Sequence, residues 1–165
     1  MVEGIATIRY LTTALFGHGA ARLLGGVLDE IGVARPFVVT DPGVRAVGIA
    51  DEVIERLPTA GHVCWFDRTP ANPTEAAVAE AAELFRDARC DGIVAIGGGS
   101  SIDLAKGAAL LATHPGPLSY TPTLPSAFCA WRSDRVISAR CTAGISWSAK
   151  RATATYIGRR NIGPA

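Results

Sequence analysis

Three consecutive glycines, Gly97, Gly98 and Gly99, stand between the apolar run 92–96 and a helical pattern that begins near Ser100. A residue without a Cβ lets a backbone N–H approach a phosphate oxygen closely, and it also accepts positive φ. A helix that follows such a loop aims its free N–H groups and its positive dipole end at the same place. Residues 97–101, GGGSS, therefore suit a pyrophosphate. They are not a Walker A loop, which needs Gly-Lys-Ser/Thr after four intervening residues, nor G-x-G-x-x-G, because Ile102 stands where the last glycine belongs. The competing reading is a tight strand-to-helix turn capped by Ser100 or Ser101, although three glycines exceed what a turn requires.

Asp41 follows the apolar run 36–40. A carboxylate at a strand tip accepts hydrogen bonds from both hydroxyls of a ribose and repels a 2′-phosphate. The sequence Thr40-Asp41-Pro42-Gly43 is equally a turn opener, and both readings stand. Asn72 is a polar ligand contact or, by default, a loop residue ahead of a helix. Asp103 and Lys106 read first as helix-end devices: Ser100 and Asp103 as a variant capping box, Asp103 and Lys106 as a surface ion pair at i, i+3. His18, His62 and His114 are scattered and match no metal-binding motif. Cys64 reads as a small buried apolar residue rather than a nucleophile.

The elements that must position these groups alternate. The runs 36–40, 62–66 and 92–96 are strand-like and nearly continuous in apolar character, as in parallel strands covered on both faces. Residues 19–32, 44–57, 74–88 and 100–114 carry helical periodicity, and Thr74 after Pro73 is a candidate N-cap. Strand and helix in alternation imply a parallel sheet with crossovers, which binds ligands at the carboxyl ends of its strands. Asp41, the segment from Asp67 to Asn72, and Gly97 to Ser100 all occupy such ends.

At 165 residues the chain has material for one domain, or one domain and a tail. A net charge of +1 argues for neither nucleic acid nor an anionic membrane as partner. The balance hides an asymmetry. Up to Leu118 there are nine Lys and Arg against fourteen Asp and Glu; from Ser119 on there are seven against one, Asp134. The four cysteines show no C-x-x-C spacing, the N-terminus lacks the marks of a signal peptide, and no run approaches the roughly 20 apolar residues of a membrane span. A reduced cytoplasm is the expected location. Residues 119–165 show no sustained period and read as an irregular basic tail, apart from a short strand around Thr155 to Ile157.

Residues 15–20 (LFGHGA), 35–44 (RPFVVTDPGV), 66–74 (FDRTPANPT) and 90–110 (CDGIVAIGGGSSIDLAKGAAL) resemble, in order and spacing, the iron-containing (group III) alcohol dehydrogenases. The resemblance covers roughly residues 6–118. It implies an α/β, Rossmann-like domain of the dehydroquinate synthase type that binds NAD or NADP. In the family a helical C-terminal domain carries Fe²⁺ or Zn²⁺, and hydride passes between the nicotinamide and an alcohol or aldehyde. Carried over, Gly97, Gly98, Gly99 and Ser100 hold the pyrophosphate, Asp41 takes the adenosine ribose and favours NAD, Asn72 lies near the adenosine, and Asp103 lies towards the nicotinamide. Lys106 receives no role.

The departure begins after residue 118. The family's Pro-Thr-Thr and Gly-Thr-Gly-Ser-Glu stretch does not appear, and no histidine follows His114. The expectation is a truncated enzyme with an out-of-frame or foreign continuation. It would have no catalytic or metal-binding residue of its own, and its domain face would be prone to self-association. A non-catalytic nucleotide-binding module, a fragment of glycerol dehydrogenase or maleylacetate reductase, and a functionless gene product are the rival expectations.

Overall fold

Residues 92–97, 36–40 and 64–66 run side by side and parallel, with 64–66 at the edge of the sheet. The computed structural model describes residues 6–9, 13–17, 19–58, 60–113, 136–140 and 154–157. In chain order the elements are β1 (Ala6–Arg9), β2 (Thr13–Phe16), a 3-10 turn (Ala20–Leu23), α1 (Leu24–Glu30), β3 (Pro36–Thr40), α2 (Pro42–Ala46), α3 (Ile49–Ile54) and a second 3-10 turn (Ala60–His62). Then follow β4 (Cys64–Phe66), α4 (Glu75–Asp87), β5 (Gly92–Gly97), α5 (Gly99–Thr113), β6 (Val136–Arg140) and β7 (Ala154–Ile157). The sheet order is β1-β2-β7-β6-β5-β3-β4. Strands β4, β3, β5 and β6 are mutually parallel, while β1, β2 and β7 pair antiparallel.

Successive side chains of a strand point to opposite faces, and both faces are covered here. Val38, Val94 and Ile96 meet Leu24 and Leu28 of α1 and Val53 and Ile54 of α3. Phe37, Val39, Ile93 and Ala95 meet Val78, Ala81 and Ala82 of α4 and Leu104, Ala105 and Ala108 of α5. This double burial explains the unbroken apolar runs of β3 and β5, every residue of which is buried. Two glycines permit the close packing. A Cβ on Gly107 of α5 would lie 2.9 Å from Val78 Cγ1 of α4, and one on Gly92 would lie 2.5 Å from Val33 Cγ2.

Thr74 caps α4 as expected, its Oγ1 accepting from Ala77 N at 3.2 Å. Other expectations need correction. The helix anticipated over 44–57 is two helices, because Gly48 adopts φ 74 and turns the chain between α2 and α3. His62 ends a 3-10 turn rather than starting β4. Within 119–165, read as irregular except near Thr155, β6 is a strand beside β5, and β7 joins it to β2. The candidate residues His18 and His114 lie outside the described residues. Among the described residues no helix is long and apolar enough to cross a membrane.

Candidate functional site

Because β3, β4 and β5 are parallel, their carboxyl ends share one edge of the sheet. Asp41 leaves β3 there, residues 67–72 leave β4, and Gly97 to Gly99 leave β5. The register sets Arg140, the last residue of β6, opposite Gly97 at the same edge.

The three glycines have different reasons to be glycine. Gly97 is buried with φ 151, and a Cβ there would come within 2.6 Å of Ser101 Oγ and 3.0 Å of Asp41 Oδ2. The protein's own packing requires it. Gly98 and Gly99 are exposed, and among the described residues a Cβ on either would meet nothing within 4 Å beyond its own turn. Neither positive φ nor internal packing accounts for them. They open the fifteen-residue helix α5, where the first N–H groups have no partner within the helix. Ile102 N donates to Gly98 O at 3.3 Å.

Neither serine caps α5. The helix starts at Gly99, so Ser100 and Ser101 lie in its first turn and reach across to neighbouring segments. Ser100 Oγ donates to Ala71 O and ties the β4–α4 loop to α5. Ser101, fully buried, donates from Oγ to Asp41 Oδ2 at 3.4 Å. Asp41 also accepts from Val44 N through Oδ1 at 3.0 Å and so caps α2. It is thus the hinge between the β3 tip and the glycine turn. Asn72 is exposed on the loop that Ser100 anchors. Asp103 is exposed and pairs with Lys106 at 3.3 Å, the surface ion pair expected from their spacing.

Two site residues escaped the sequence reading. Thr40 and Thr69 are buried, and among the described residues their hydroxyls have no hydrogen-bond partner, while Thr69 N donates to Thr40 O at 3.3 Å. Buried hydroxyls are seldom left unpaired, and these two flank Asp41 and the 69–72 loop. A threonine closing an otherwise apolar strand was the available signal. Arg45 of α2 was also passed over. Its guanidinium bonds to Asp51, lies 3.7 Å from Asp67 Oδ2, and sits 3.8 Å above the Trp65 ring.

The donor set fits a dinucleotide: open backbone at Gly98 and Gly99, a helix N-terminus, a carboxylate at the neighbouring strand tip and unpaired hydroxyls beside it. It does not fit a metal. Among the described residues no group of three or more His, Cys, Asp or Glu stands together to hold one. Burial, and then the neighbouring Cys64 and Asp91, push the Cys90 thiol up to about 12.

The family model of the iron-containing alcohol dehydrogenases matches residues 12–142. The 4-hydroxybutyrate dehydrogenase of Cupriavidus necator is 51% identical over 120 residues, covering 73% of this chain and 31% of that protein. The NAD-dependent methanol dehydrogenase of Bacillus methanolicus is 34% identical over 107 residues, covering 64% and 28%. The crystal structure of a 1,3-propanediol oxidoreductase superposes with a TM-score of 0.66 at 28% identity, covering 87% of this chain and 40% of that one. The chain therefore spans about a third of the length of the curated relatives it matches.

Proposed function

The chain belongs to the iron-containing alcohol dehydrogenase family, and on that premise we propose that its described residues form the dinucleotide-binding part of an NAD-dependent alcohol dehydrogenase. The observation that carries this reading is the pair Gly98 and Gly99, which the fold itself does not need as glycines. Their amides, with those of Ser100 and Ser101, donate to the pyrophosphate, and the α5 dipole adds to the attraction. Asp41 accepts from the adenosine ribose hydroxyls and selects against a 2′-phosphate. Asn72 borders the adenosine and Asp103 the nicotinamide side.

The nicotinamide group, when bound, accepts or returns a hydride as an alcohol and its aldehyde or ketone interconvert. The chain's own residues bind and orient the dinucleotide, and α5 fixes where its reactive end emerges. Ligands for the family's metal are not among the described residues, so no step is assigned to a metal here. Relatives named for 4-hydroxybutyrate and 1,3-propanediol support a small alcohol as the substrate class.

We further propose that these 165 residues bind NAD without turning it over. Titration calorimetry on the full chain should show NAD binding that Gly98→Val abolishes. The same protein with NAD, Fe²⁺ or Zn²⁺ and a small alcohol should produce no NADH. Absent binding in the unmodified chain overturns the site; measurable NADH formation overturns the division between binding and catalysis.

A further inference from the structure

Arg45 lies one helical turn beyond Asp41, with its N–H donating to the Asp41 carbonyl at 3.0 Å. Its guanidinium is occupied from three directions. Asp51 of α3 bonds to Nη1, Asp67 at the tip of β4 lies 3.7 Å from Nε, and the Trp65 ring centroid is 3.8 Å from Cζ. An arginine over a tryptophan face gains a cation–π contact, and its planar fork is locked further by each carboxylate. The clamp is not sealed, since roughly a third of the Arg45 side chain is exposed (32%). The next cation along this edge, Arg68, is likewise bonded to Glu80 and lies 4.6 Å from the Phe66 ring centroid.

An arginine near the ribose is the usual means of accepting a 2′-phosphate. This edge has one, placed beside Asp41, and the fold has tied it up. Resting on the dinucleotide reading above, we propose that the Asp51–Arg45–Asp67 clamp over Trp65 is a cofactor-specificity device. It withholds the guanidinium from the ribose 2′ position. Selection of the 2′-hydroxyl then has two parts: Asp41 repels the extra phosphate, and Asp51 and Asp67 keep its natural partner occupied. Releasing Arg45 should relax the selection without touching the pyrophosphate cradle, because Asp51 and Asp67 hold Arg45 from α3 and the tip of β4, whereas the cradle is the turn from β5 into α5.

The test compares ADP-ribose with 2′-phospho-ADP-ribose, which share the pyrophosphate and differ only at the 2′ position. Dissociation constants are measured calorimetrically on the 165-residue chain. The unmodified protein should prefer ADP-ribose. Asp51→Asn with Asp67→Asn should tighten 2′-phospho-ADP-ribose by about tenfold, the scale of one charge-assisted hydrogen bond, and leave ADP-ribose within about twofold. Adding Arg45→Met to that pair should erase the gain. A gain that survives Arg45→Met would reflect general removal of negative charge and overturns the device, as does no gain at all. If the double variant fails to fold, Asp51→Asn alone should move the ratio in the same direction by less, and an unmoved ratio overturns the proposal. If neither ligand binds the unmodified chain, the dinucleotide site falls and the device with it. ADP-ribose binding with an unaltered ratio sinks only the device.

Discussion

A methyl added at residue 97 and an isopropyl added at residue 98 should damage different properties of the same loop. At Gly97 the φ of 151 is one that L side chains rarely adopt, and the added Cβ would sit 2.6 Å from Ser101 Oγ and 3.0 Å from Asp41 Oδ2. Backbone strain of that kind costs about 1–3 kcal/mol, and overpacking a buried site costs about the same again. Gly97→Ala should therefore lose about 2–6 kcal/mol, a large share of the roughly 5–15 kcal/mol that holds a domain together, and lower Tm by roughly 5–20 °C. At Gly98 the added side chain enters open space. Only the weak preference for glycine over a β-branched residue at a helix start is lost, at most about 1 kcal/mol. The same side chain covers the amides proposed to hold the pyrophosphate. Two charge-assisted bonds at about 1.5–3 kcal/mol each amount to a loss in affinity of about 10²- to 10⁴-fold. Thermal denaturation and NAD calorimetry on both variants give a two-by-two comparison. Gly98→Val binding NAD within about threefold of the unmodified protein, or Gly97→Ala melting with it, would refute the division of roles between adjacent glycines.

Two further outcomes follow from the packing and the titration of the described residues. Gly92→Ala should destabilise the protein by about 1–3 kcal/mol in urea unfolding, because its Cβ would meet Val33 Cγ2 at 2.5 Å; adding Val33→Ala should recover most of the loss, and no recovery would place the strain elsewhere. The Cys90 thiol ordinarily ionises near 9.0 and is pushed up to about 12, by burial first and then by Cys64 and Asp91. Its unfolded form ionises first, so its contribution is fully present below pH 9 and is lost as pH rises towards 12. Cys90→Ala should flatten the alkaline loss of stability in that window, measured as the difference between the two proteins, and an unchanged slope would remove Cys90 from the account.

The central strands and the helices that cover them were legible because their signals are local. The segment 36–40 is apolar up to its closing Thr40 and bounded by Arg35 and Asp41, and it forms β3 over those same residues. Thr74 precedes the α4 pattern and caps it. The break at Gly48 was not legible, since an isolated glycine inside a good helical period is commonly tolerated. Here its positive φ divides the segment into α2 and α3. The short strand expected around Thr155 is β7, whereas strands β1, β2 and β6 were illegible for another reason. Each has only four or five residues, and apart from the β1–β2 pair they are specified by pairing partners remote in sequence, as β2 is by β7. Sequence windows hold no information on such pairings, whose register depends on the assembled sheet.

The site was legible as a place before it was legible as an arrangement. Three strand ends named one edge, but the contacts that organise it join residues far apart: Asp41 with Ser101, Ala71 with Ser100, Arg45 with Asp67. Asp41 shows what this changes. In the sequence its turn role and its ligand role compete, as though one carboxylate could serve only one. In the structure it already caps α2 through Oδ1 and accepts from Ser101 through Oδ2. An ionised carboxylate offers about four lone-pair sites, so those two bonds leave capacity for a pair of ribose hydroxyls. The bonds also hold the group still, and a fixed acceptor discriminates better than a mobile one because less freedom is lost on binding. The capping bond is therefore part of what would make Asp41 a selective ribose ligand, and the two readings describe one preorganised group.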